Sequence, residues 1–139
     1  MQWIAEAFQR NWFYMVAMII GVIYGLGGVV HIGNILGFGE LEWSEAPVSW
    51  KIGDIWWGAL DIVAVVGIVL RSPVGVLALL LAAGSQVIVY TLAPDAFALT
   101  AAHRSTLQKL VYFNAIVLVV IIAAVYLAIR DDGACRDVT

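Results

Sequence analysis

Charge is what this sequence has least of. Asp, Glu, Lys and Arg together make up 12% of its 139 residues, and they gather between long apolar runs. A soluble domain carries roughly twice that share, so a water-exposed fold is excluded. The lone cysteine, Cys135, excludes an internal disulfide, and without a C-x-x-C pair it also excludes quinone-linked thiol oxidation. Seven basic residues against ten acidic ones, with no basic patch, exclude nucleic acid as a partner. There is no H-E-x-x-H, no G-x-S-x-G and no P-loop. The two histidines, His31 and His103, fall on different segments, a poor basis for a metal centre or for haem ligation. No catalytic residue, metal or resident cofactor is expected from these motifs.

What is present is hydrocarbon. Hydrophobic residues form 63% of the chain, and the mean hydropathy is +0.98. A bilayer core about 30 Å thick needs ~20 apolar residues per helix, so the chain supplies about four spans. They run from Trp12 to Phe38, Ile55 to Leu70, Pro73 to Ala93 and Thr106 to Ile129. The first run is far longer than a secretory h-region and reads as a retained span. The expected fold is all-α: a four-helix transmembrane bundle forming one domain over residues 1–139, preceded by a short interfacial helix. That helix covers Met1 to Asn11, with Trp3, Ile4, Ala7 and Phe8 opposed by Gln2, Glu6, Gln9 and Arg10.

Local signals mark the ends. Asp54 after Gly53 reads as an N-cap, as does Ser72 before Pro73, and Ser105 to Gln108 has a capping-box pattern. Trp12, Phe13, Tyr14 and Tyr126 form one aromatic belt; Trp43, Trp50, Trp56, Trp57, Tyr112 and Phe113 form the other. Four spans place both termini on one side, with Arg10, Arg71, Arg130 and Arg136. Lys51, Arg104 and Lys109 lie on the other side. The balance predicts cytoplasmic termini in an inner (cytoplasmic) membrane.

Few polar residues lie within the spans. His31 sits seven residues before Phe38, Asp61 seven after Asp54, Gln86 seven before Ala93 and Asn114 six after Gln108. At a helical rise of about 1.5 Å per residue, each falls about 10 Å inside the same membrane face. Asn34 shares a helix face with Tyr24, Gly28 and His31; Asp61 shares one with Asp54, Trp57 and Val65. An ionised Asp facing lipid is costly, so Asp61 is expected to face inward and find His31 or Gln86, or to stay protonated. One reading of this layer is a proton-active or ligand-orienting His–Asp pair. The other is a packing pair that fixes helix register.

Gly21, Gly25 and Gly28 form a small-residue stripe expected to give the closest helix contact; Gly33 and Gly37 form another, and Ala82 to Ser85 a third. Such stripes pack within a bundle or dock a partner's helix. The loop carrying Glu40, Glu42, Trp43, Glu45 and Trp50 reads as a Trp-anchored interfacial loop or as a docking patch for another subunit.

Four spans, the run Gly25-Leu26-Gly27-Gly28-Val29-Val30-His31 and the very short second link resemble the DoxX-like group of small bacterial membrane proteins. The resemblance implies a membrane protein of a group in which some members take part in quinone-linked sulfur or redox chemistry. It carries over no site residue. Two functions follow as expectations. One is a non-catalytic accessory subunit of a larger bacterial membrane complex for electron transfer, touching lipid and other subunits or further copies of itself. The other is a binder or redox component whose polar layer takes a quinone, isoprenoid or sterol-like lipid.

Cys135 tests the orientation directly. With cytoplasmic termini, a membrane-impermeant maleimide added to intact cells leaves it unlabelled until the cells are lysed. Labelling from outside inverts the topology.

Overall fold

Inside hydrocarbon no water is available to backbone amides, so apolar runs of this length satisfy their own hydrogen bonds as helices. The structure is a computed structural model describing residues 1–136, with side chains described through Arg130; Cys135 and the Arg136 side chain thus lie outside what is described. Its order is α1 (Gln2–Ala7), α2 (Asn11–Ile35), α3 (Val48–Val69), α4 (Pro73–Leu92), a 3-10 turn (Pro94–Ala96) and α5 (Ala101–Arg136). Among the described residues four helices are long and apolar enough to cross a membrane. Their mean hydropathies are 2.1, 1.8, 1.9 and, for Ala101–Arg130, 2.7. The chain is a multi-pass, all-helical membrane protein.

Consecutive helices pack side by side, whereas α2 and α5 meet much less closely. At the termini end α1 closes the bundle: Ile4, Ala7 and Phe8 are buried, and α1 lies against α4 and α5. Phe8 packs edge-on to Phe13, with ring centroids 5.1 Å apart. The amphipathic segment thus turns its apolar face onto protein, leaving Trp3 exposed. The outward surface of the spans is studded with Leu, Ile and Val, as lipid contact requires.

Two helix starts differ from those expected. The helix α3 begins at Val48, after Pro47, so Asp54 is an interior helical residue and not a cap. The N-terminal part of α3 is tied to the segment after α4 by bonds from Ser49 to the Ala96 carbonyl and from Trp50 Nε1 to the Phe97 carbonyl. Likewise α5 starts at Ala101, where Thr100 Oγ1 accepts from the His103 amide at 3.2 Å, so Ser105 caps nothing. The Ser72 cap is present: its Oγ accepts from the Val74 amide at 3.3 Å, with Pro73 opening α4.

That turn also holds the tightest backbone approach. A Cβ on Gly67 would lie 2.5 Å from both the Cα and N of Gly75, so the two helices touch through main chain. The stripe on α2 is looser. Gly21 faces Ile68, Gly25 faces Val65 and Gly28 faces Asp61, at 3.2–3.4 Å from a notional Cβ. These glycines accept α3 side chains, while the closest contact belongs to the α3–α4 hairpin, where glycines oppose each other. Gly67→Ala should therefore cost about 1–3 kcal/mol, as overpacking does. Gly33→Ala, with nothing within 4 Å of its Cβ position, should leave the unfolding midpoint unchanged. Thermal unfolding in detergent, followed by circular dichroism, reads both.

Candidate functional site

The spacing of α2 brings Tyr24, Gly28, His31 and Asn34 to one side of the helix, and α3 does the same for Asp54, Trp57 and Asp61. Where these faces meet, His31 Nδ1 lies 2.7 Å from Asp54 Oδ1, and Asn34 Nδ2 donates to the same oxygen at 3.1 Å. A carboxylate accepts, so Nδ1 carries the proton in this pair. His31 Nε2 bonds to no described protein group. Gly58 leaves room for the imidazole, since a Cβ there would lie 3.2 Å from His31 Cβ.

Across the bundle, α4 and α5 supply a second network. Asn114 Nδ2 donates to Gln86 Oε1 at 2.9 Å and to the Leu110 carbonyl at 2.8 Å, while the Tyr24 hydroxyl donates to Asn114 Oδ1. All the hydrogen-bonding capacity of Asn114 that faces protein is thereby used, and α2, α4 and α5 are joined at one level.

Asp61 lies between the two networks and belongs to neither. It is 2% exposed, and its Oδ1 is buried without a hydrogen-bond partner. Gly27 and Gly28 make space for it: Cβ atoms there would lie 3.1 Å from Asp61 Oδ2 and 3.2 Å from Asp61 Cβ. The expected partners have gone elsewhere, His31 to Asp54 and Gln86 to Asn114. The reason is the early start of α3, which carries Asp54 into the membrane domain two helical turns above Asp61.

Two adjoining clefts open in the weak seam between α2 and α5. The inner one, about 240 Å³, is lined by Tyr24, His31, Asp61, Gln86, Tyr90 and Asn114, with Phe113 at its edge. The outer one, about 370 Å³, shares His31 and Tyr90 with it and reaches Glu40, Trp50 and His103 on the loop side. Trp57, Tyr90 and Phe97 form one wall, with ring centroids 5.1–5.7 Å apart. Trp57, assigned above to the lipid-facing belt, is 4% exposed, and its indole donates to Ser85 Oγ at 3.0 Å.

The loop residues divide. Glu40 pairs with His103 Nε2 at 3.0 Å, and Trp50 packs edge-on against that imidazole, centroids 5.3 Å apart. Glu42 and Glu45 are exposed, and Trp43 is half-buried beside the mouth. Asp54, Tyr90 and His103 are site residues that the sequence reading left out. Tyr90 stands one turn beyond Gln86, and Asp54 two turns before Asp61, which are the signals that mark them. Among the described residues no group of His, Cys, Asp and Glu has the arrangement of a metal site.

Asn114→Leu should remove the α2–α4–α5 network, strand Tyr24 and Gln86, and cost about 1–3 kcal/mol in the detergent unfolding midpoint. Gln86→Leu, which leaves Asn114 its bonds with Tyr24 and the Leu110 carbonyl, should cost less. Compared with known protein families, curated proteins and solved structures, the chain matches none, and its own residues carry the functional reading.

Proposed function

We propose that this membrane protein binds a small lipid-soluble molecule in the cleft between α2 and α5, with the polar head of that molecule at Asp61. The observation that carries this reading is the buried, unpartnered carboxylate oxygen of Asp61 on a cavity of about 240 Å³. A buried carboxyl group without a partner is costly and is retained where a ligand or proton meets it. Exposed Ile23 and Val30 flank the cleft, so an apolar body reaches lipid between the helices. Quinone, isoprenoid and sterol-like molecules fit this description, and the resemblance to the DoxX-like group accords with a quinone. The arginine balance supports cytoplasmic termini, and the DoxX-like resemblance accords with a bacterial inner membrane.

A second reading, an accessory subunit of a larger electron-transfer complex, draws support from Gly33, where a Cβ would meet nothing within 4 Å, so a partner's helix could lie against it. Gly37 lies past the end of α2 with φ +82°, a turn residue and not part of a helix stripe.

One purification separates the two readings. Extracted in mild detergent, the binder should run as a single species from which solvent releases a stoichiometric small molecule identified by mass spectrometry, and Asp61→Leu should lose that molecule. A stoichiometric protein partner with no extractable molecule overturns the binding reading in favour of the subunit.

A further inference from the structure

The carboxylates around the two clefts are not equivalent. Glu40 faces His103 at 3.0 Å and Asp54 faces His31 at 2.7 Å, so each has an imidazole that can carry the opposite charge. Asp61 has none. No lysine or arginine lines either cleft among the described residues. His31, the one basic group beside Asp61, is already engaged by Asp54. The walls around Asp61 are aromatic: Tyr24, Tyr90 and Phe113 line the same cavity, with Tyr24 stacked on Phe113 at 6.4 Å between centroids.

Carboxylate and aromatic rings select a charge type. A carboxylate in hydrocarbon lacks a counter-ion, and an organic cation dissolved in lipid lacks one too; bringing them together removes both costs. Aromatic rings attract a desolvated cation through their quadrupoles and offer nothing comparable to a neutral head of the same shape. We propose that the molecule bound here is a lipophilic organic cation, an ammonium on an apolar body. Its charge would sit between Asp61 and the rings of Tyr24, Tyr90 and Phe113, and its body in the α2–α5 seam. This rests on the binding reading above and sets a cationic ligand class in place of the neutral molecules named there.

The test uses the full chain in lipid nanodiscs and two probes of one shape, benzyltrimethylammonium and its neutral carbon isostere neopentylbenzene. Binding is measured by equilibrium dialysis. We expect the ammonium to bind saturably and the isostere about tenfold more weakly, the gain a desolvated cation draws from charge and rings. Asp61→Asn should abolish that preference and Asp61→Glu should keep it, with circular dichroism confirming that both variants are folded. Equal binding of the two probes, or a preference that survives in Asp61→Asn, overturns the cation assignment and leaves a neutral-ligand cleft. Saturable binding of neither probe overturns this assignment, and the absence of any extractable molecule overturns the wider binding reading separately. Should Asp61→Asn fail to fold, the wild-type comparison decides: no preference sinks the assignment, and a preference retained by Asp61→Glu upholds it.

Discussion

A carboxylate carried into a bilayer loses its hydration, and the surrounding protein has to answer for it. Asp61 sets that requirement in this bundle. Around it α2 gives up side chains at Gly27 and Gly28, so that the carboxylate fits between helices instead of being turned to lipid. The neighbouring polar residues do not supply its partner, because each is already held. Asp54 holds both His31 and Asn34, and Tyr24 and Gln86 hold Asn114. Those two networks fix the positions of α2 against α3 and of α4 against α5, and neither supplies a hydrogen bond to Asp61 Oδ1.

The distribution of bonds also separates structure from function. Interhelical hydrogen bonds in membranes contribute about 1 kcal/mol each, enough to set register without dictating the fold. A residue such as Asn114, with Nδ2 donating twice and Oδ1 accepting once, has the hydrogen bonding expected of a register device. A carboxylate with an unbonded oxygen does not, since replacing it by an apolar residue would remove a cost and lose no contact.

Much of this was legible in the sequence, and the limits have physical causes. Helical rise is constant, so counting residues from span ends was enough to bring His31, Asp61, Gln86 and Asn114 to a similar depth. Pairing was not legible, because it depends on where α3 begins. Ser49, Lys51 and Asp54 dilute hydropathy over residues 48–54, and a reading based on apolar runs starts the helix at Ile55. Bonds from Ser49 and Trp50 to the loop after α4 extend the helix back to Val48, and no local pattern announces those contacts. Trp57 follows the same logic. Counted from Ile55 it belongs to an interfacial belt; counted from Val48 it lies about 13 Å into the helix, and Ser85 satisfies its indole.

The position of the cleft follows from connectivity. The link between α3 and α4 is three residues long, Leu70 to Ser72, and closes on Gly67 and Gly75, which holds those helices together down to the main chain. The first and last spans share no such link, so nothing in the chain's covalent path presses α2 onto α5. At the termini end α1 closes the gap, burying Ile4, Ala7 and Phe8. At the middle level Tyr24 and Asn114 pin the two helices at one point. Above that point the seam is free to part, and it parts beside Asp61, a buried carboxylate whose Oδ1 has no hydrogen-bond partner among the described residues. An opening that faces lipid, bounded by aromatic rings and ending at a charge, favours molecules that arrive through the bilayer and carry their polarity at one end.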